Sequence, residues 1–233
     1  MRSRPGAVAP PGGRDESQAA SGPAPRPTTR AVKGVTGGPV RSAPMAGGDR
    51  RFDVVVMGAG TAGAAAAWQF ASRGRSVALV DRRPAHEAGA HWHNGLLDRH
   101  FDEAGIARPE PPERFGESVD NHMFNAYGEH VLTLRGAPTV STDMALLGAR
   151  LRDDAVAAGA ELVDEAGLVG VELEGRRMTA VTLELGSGAE RSTTLGADLF
   201  VDASGWRGVL RRRHPDMATW CPLVRGSELC SAV

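Results

Sequence analysis

Residues 51 to 81 contain the feature that most restricts what this chain can fold into. Arg51-Phe52-Asp53-Val54-Val55-Val56-Met57 is a short apolar, β-branched run, as expected for a strand buried on both faces of a parallel sheet. It passes directly into Gly58-Ala59-Gly60-Thr61-Ala62-Gly63. The next ten residues, Ala64-Ala65-Ala66-Ala67-Trp68-Gln69-Phe70-Ala71-Ser72-Arg73, are mostly strong helix formers, with a cation in the last turn and Gly74 as a stop. A second apolar run, Ser76-Val77-Ala78-Leu79-Val80, ends on Asp81. Together these form one βαβ unit.

Each glycine in that spacing has a physical reason. Gly58 permits a tight turn out of the strand, Gly60 lets backbone approach a pyrophosphate without a Cβ in the way, and Gly63 with Ala67 lets the helix lie close on the sheet. The helix N-terminus then presents free N–H groups and a partial positive charge to phosphate. Asp81 stands 23 positions after Gly58, at the carboxyl end of the second strand, where it can accept hydrogen bonds from both ribose hydroxyls of an adenosine. The unit therefore predicts dinucleotide binding. FAD and NAD both carry an ADP moiety, and Asp81 suits either. Arg82 and Arg83 stand where a 2′-phosphate would lie, but the acid before them repels one, and they read as solvated loop charges.

Beyond a connection, Ser141-Thr142-Asp143 reads as a polar N-cap. Met144, Leu146, Leu147, Leu151, Ala155 and Val156 follow at helical spacing, closed by Gly159. Strand-like runs at Glu161–Asp164, Leu168–Leu173, Met178–Leu185 and Arg191–Thr194, with turns at Gly175 and Gly186-Ser187-Gly188, read as a small antiparallel β-meander. A return strand, Ala197–Val201, leads into Asp202-Ala203-Ser204-Gly205-Trp206-Arg207-Gly208-Val209-Leu210-Arg211. The expected fold class is α/β, a Rossmann-like FAD/NAD(P)-binding parallel sheet carrying that meander.

In this order of elements the chain resembles the flavoprotein superfamily of p-hydroxybenzoate hydroxylase-type monooxygenases, geranylgeranyl reductases and flavin-dependent halogenases. The resemblance covers about residues 52 to 233. It rests on Gly58 to Gly63, on Asp81-Arg82-Arg83-Pro84, and on Val201-Asp202-Ala203-Ser204-Gly205 followed by Val209-Leu210-Arg211. It implies FAD as cofactor, held by Gly58, Ala59, Gly60, Thr61, Ala62, Gly63, Asp81 and Arg82, with Asp202 and Gly205 beside it. It also implies NAD(P)H as reductant, and monooxygenation or double-bond reduction of an apolar small molecule. Trp92, Asn94 and Gly95 fall where such proteins pass close to the flavin. No catalytic residue is expected to announce itself, because the flavin carries the hard chemistry. The rival expectations are a nicotinamide-dependent dehydrogenase or NAD-binding domain, and a catalytically silent FAD-binding fragment.

Two departures from the family pattern stand out. The family's C-terminal Gly-Asp pair has no counterpart, since the only Gly-Asp is Gly48-Asp49, ahead of the first strand. The ending Glu228-Leu229-Cys230-Ser231-Ala232-Val233 carries no stop feature. Both lead to the expectation of a domain over 51–233 that is truncated at its C-terminus. Lys33 is the sole lysine, so the reactive lysine of halogenases is missing past the first βαβ unit, which disfavours halogenation.

Composition removes other classes. Residues 1 to 50 hold eight of the 15 prolines and nine of the 30 glycines without apolar periodicity, which predicts a disordered arm and a true start at Met45. With 27 basic and 28 acidic residues the net charge is -1, which gives no reason to expect nucleic acid as partner; a small-molecule substrate is expected instead. No run approaches the ~20 apolar residues of a membrane span. Cys221 and Cys230 alone supply neither a disulfide framework nor a thiolate zinc site, and a reducing cytoplasm is the simplest compartment. His86, His91, His93 and His100, with Asp98 and Asp102, match no standard metal spacing. Ser204, His214 and Asp216 can be written as a triad, but Ser204 lacks the Gly-x-Ser-x-Gly frame of a nucleophile elbow.

Overall fold

Alternate residues of the first strand bury on opposite faces, which makes it the centre of the molecule. In the computed structural model, which describes residues 50–125, 127–128, 130–186 and 192–220, this strand is β1 (Arg50–Met57). Arg50, the last residue of the arm expected over 1–50, begins β1, whereas the rest of that arm, the C-terminal end of the chain and both cysteines lie outside the described residues. The helix α1 (Thr61–Ala71) and strand β2 (Val77–Val80) complete the βαβ unit, with β2 parallel to β1. Gly74 takes a positive φ of 75° just past the helix, as its position as a stop predicts.

β8 (Glu161–Val163), β9 (Ala166–Glu174), β10 (Arg177–Leu185) and β11 (Ser192–Asp202) join these two in one six-stranded sheet of order β8-β2-β1-β11-β10-β9. β8 lies parallel to β2 at the sheet edge and therefore belongs to the parallel half, not to the meander. The described part of the meander strand expected at Arg191–Thr194, Ser192 onward, and the return strand expected at Ala197–Val201 prove to be one strand. Ser192 to Gly196 pair antiparallel with β10, while Leu195 to Asp202 run parallel to β1. Gly196, between the two expected runs, stays out of the positive-φ region, and the strand continues through it.

α3 (Met144–Ala157) packs beside α1 on one face of the sheet. Asp143 caps it as expected, accepting from the amides of Ala145 at 2.9 Å and Leu146 at 3.2 Å. Ala64, Ala67 and Ala71 are small enough to bring α1 onto Val54, Val56 and Leu79, with Leu147, Leu151 and Ala155 of α3 closing that core. Each buried leucine there contributes ~2 kcal/mol. On the opposite face Val55, Met57, Ala78 and Val80 cluster with Val181, Leu183, Leu195 and Leu210.

The connection between β2 and α3 is more structured than its sequence suggests. It holds β3 (His93–Leu97), α2 (Arg99–Ala104), β4 (Arg114–Ser118), β5 (Asn121–Phe124), β6 (Val131–Leu134) and β7 (Thr139–Asp143). β3, β7 and β4 form a three-stranded antiparallel sheet, and β5 with β6 a separate hairpin. Ser141, Thr142 and Asp143 are thus the end of a strand as well as the start of α3. Among the described residues no helix is long and apolar enough to cross a membrane.

Candidate cofactor site

The carboxyl ends of β1, β2 and β11 are neighbours in the sheet, so the residues that follow them converge. Gly58 donates its amide to the Val80 carbonyl at 2.6 Å, and the Ala203 amide donates to the Met57 carbonyl at 2.8 Å. A Cβ on Gly58 would stand 2.5 Å from the Ala203 carbonyl oxygen, and Gly58 has a φ of 107°. Only glycine satisfies both conditions. Gly63 is tied to the same place, since a Cβ on it would lie 1.7 Å from the Gly58 carbonyl oxygen. Gly60 meets a different neighbour, Gly89, whose Cα would be 3.2 Å from a Gly60 Cβ. The segment after Asp81 therefore folds back over the glycine loop.

α1 begins at this point without any side-chain cap and without an acidic residue in its first turn. Its first amides have no intrahelical acceptor, and the macrodipole adds a partial positive charge. Thr61 and Ala62 supply those amides. This is an anion cradle left open by the protein's own side chains, and it fits a dinucleotide pyrophosphate.

Asp81, 8% exposed, lies beside the loop and is bonded to it. Its Oδ2 accepts from the Ala59 amide at 2.8 Å and its Oδ1 from the Arg83 amide at 3.0 Å. A carboxylate has about four acceptor positions, so two remain. Arg82 is exposed, whereas Arg83 reaches across to the Gly89 carbonyl at 3.4 Å.

Asp202 spends its oxygens on its own turn. It accepts from the amides of Ser204, Leu210 and Arg211 at 3.2, 3.0 and 2.9 Å, and from the Ser204 hydroxyl. Burial is the largest single influence on this group and works against its charge. The bonds from Arg211 and Ser204, with the Arg211 cation, together outweigh it and hold the Asp202 pKa below the ordinary carboxylate value. Gly205 follows with φ 65° and opens a short helical turn, Gly205–Arg207. Ser204 thus serves the turn, its hydroxyl also accepting from the Val209 amide, while the His214 ring is engaged by the Arg176 carbonyl and the Asp216 amide. That geometry is not a nucleophile–base pair.

The histidines are dispersed. His91 contacts the Glu87 carbonyl, His93 lies 3.7 Å from Asp143 and against the Phe115 ring, and His86 and His100 are exposed. Trp92 is exposed at 64%, and its carbonyl accepts from the Met144 amide.

One member of the site is absent from the sequence expectations. Arg152 of α3 is buried, and its Nη1 donates to the carbonyls of Ala59 and Ala88. Desolvation is the main cause lowering its pKa, with Arg83 acting the same way and Asp153 and Asp81 opposing. Its signal was a cation beside Leu147, Leu151 and Ala155 on an otherwise apolar stripe.

The family model for FAD dependent oxidoreductases matches residues 53–211, and the chain belongs to that family. The digeranylgeranylglycerophospholipid reductase of Sulfolobus acidocaldarius is 32% identical over 74 residues, 31% of this chain and 15% of the relative. Among solved structures, a geranylgeranyl bacteriochlorophyll reductase-like protein from Thermoplasma acidophilum aligns with a TM-score of 0.62 at 17% identity, over 72% of this chain and 43% of that one. The flavin-dependent brominase Bmp2 aligns with a TM-score of 0.59 at 19% identity, over 70% and 40%. These two likenesses establish a shared fold. The chain spans less than half the length of each of these proteins.

Proposed function

We propose that this chain forms the FAD-holding part of an oxidoreductase that works on an apolar small molecule, with NAD(P)H as the reductant. FAD supplies the redox step when bound, exchanging a hydride or activating oxygen. The observation that carries the reading is the open, uncapped start of α1, set between Asp81 and the Asp202 turn by contacts that only glycine permits. In this reading the amides of Gly60, Thr61, Ala62 and Gly63 hold the pyrophosphate, and Gly58 and Ala59 shape the loop. The free acceptor positions of Asp81 hold the adenosine ribose, with Arg82 beside it. Asp202 acts through its turn, keeping Ala203 and Ser204 against the loop, with Gly205 following them. The reductase relative favours double-bond reduction over oxygenation as the chemistry of the whole protein.

The test is an absorption spectrum of the protein as purified, followed by titration of the stripped protein with FAD and, separately, NAD. A flavin band, or FAD saturation that Asp81→Ala weakens about tenfold or more, is expected. Saturation by NAD alone would replace the reading with a dehydrogenase one. Absence of binding by folded protein would leave a silent fragment.

A further inference from the structure

Arg152 leaves the middle of α3 and ends beneath the glycine loop, with 5% of the residue exposed. Its Nη1 is shared between the carbonyl of Ala59 at 3.1 Å and that of Ala88 at 3.2 Å. These carbonyls precede Gly60 and Gly89, the two residues at which the loops touch. One guanidinium group therefore bridges both loops at their tightest point. Gly148, one helical turn earlier on α3, makes the room: a Cβ there would stand 3.2 Å from Nη1 and 3.9 Å from Thr61 Oγ1. The guanidinium and Thr61, the first residue of α1, thus both face the Gly148 position.

A buried cation is costly unless it is compensated. The hydrogen-bond partners of Arg152 are two neutral carbonyls, and Asp153 and Asp81 act on it only through space. Asp81 already accepts from two amides. The local field of α1 adds positive charge to that of Arg152 instead of cancelling it. An anion bound at the loop would balance both.

We propose that Arg152 is a positioning residue for a bound dinucleotide. It locks the glycine loop to the 82–90 segment through Ala59 and Ala88, and it supplies buried positive charge to the pyrophosphate at the start of α1. This rests on the dinucleotide reading above and extends it to a residue outside the glycine motif.

The test uses the full chain with Arg152→Met, which keeps bulk and removes charge, and Arg152→Lys, which keeps charge. Amide hydrogen exchange across 58–63 and 86–90 is followed without ligand, and FAD and ADP affinities are measured by calorimetry at low and high salt. In Arg152→Met, loop exchange accelerates, and FAD and ADP affinities fall about tenfold or more with a weaker salt dependence. Arg152→Lys restores both affinities to within about threefold of the parent. Binding by Arg152→Met equal to the parent overturns the inference. So does equal weakness of the Met and Lys variants, which marks a purely structural role. Should Arg152→Met fail to fold, Arg152→Lys decides together with Gly148→Ala, which crowds the guanidinium without removing it and is expected to weaken ADP. A parent that binds neither FAD nor ADP sinks the dinucleotide reading and this inference together. A parent that binds both while every variant matches it sinks this inference alone.

Discussion

A Cβ on Gly63 would stand 1.7 Å from the carbonyl oxygen of Gly58 and 3.2 Å from Cβ of Ala203. The first and last glycines of the loop thus touch backbone to backbone, with the turn after β11 closing over them. Gly63→Ala cannot be absorbed by moving a flexible side chain, and a loss of more than ~3 kcal/mol is expected. Gly74→Ala meets open space and carries only the strain of its φ of 75°, so ~1 kcal/mol is expected. Urea denaturation of both variants checks this, and equal costs would contradict the packing argument.

Asp202→Asn replaces one of two carboxylate oxygens, which together accept from five N–H and O–H donors, with an amide donor. The cost at neutral pH is expected to be ~1–3 kcal/mol. Because the folded-state pKa lies below the unfolded one, the charged form stabilises the fold above the unfolded carboxylate pKa, and that contribution is lost as pH falls through the folded value. The stability gap between parent and variant should therefore be full at pH 7 and shrink below about pH 4. A gap that stays constant through the acid range would show that the charge is not what matters.

Arg150 clamps Glu113, which is 7% exposed, through bonds of 2.7 and 3.0 Å, and also reaches the Ala107 carbonyl. The pair fastens the 107–113 segment to α3. Arg150→Met leaves a buried carboxylate without its partner and should cost ~3 kcal/mol. Adding Glu113→Leu should recover most of that loss, because the apolar pair needs no compensation. A double-mutant cycle read by thermal melting measures the coupling, and additive losses would argue against a paired role.

The β5–β6 hairpin exposes Met123, Phe124, Val131 and Leu132, each by more than half. Two strands without a partner layer are marginal by themselves. Phe124→Ser and Leu132→Ser should change the unfolding free energy by no more than ~0.5 kcal/mol, the range of surface changes, and lower the tendency to aggregate at high concentration. A loss above ~1 kcal/mol would mean that the hairpin packs against something in solution.

The sequence was most legible where local pattern and tertiary role coincide. Val54 to Met57, Gly58 to Gly63 and Asp81 combine a doubly buried strand, a tight turn and a helix start, and each leaves a mark within a few residues. Asp143 as a cap and Gly159 past α3 were legible for the same reason. The strands β3 to β7 were not. They are four or five residues long, and β7 alone alternates cleanly, with Val140 and Thr142 inward. No 3.6 or 2.0 period emerges from such pieces.

By itself, then, the sequence determined the βαβ unit, its glycine geometry and the acid that closes it, because backbone sterics and burial period are local constraints. Tertiary structure alone decided that β11 serves two sheet partners, since strand pairing depends on which distant edge is available. It decided that Gly60 faces Gly89, because the 82–90 segment folds back over the loop, and that Asp81 bonds Ala59, because β1 and β2 end side by side. It also decided that Arg152 lies beneath the glycine loop, 93 residues away from Ala59 in the chain. A helix pattern marks which residues are buried. It does not mark what they are buried against.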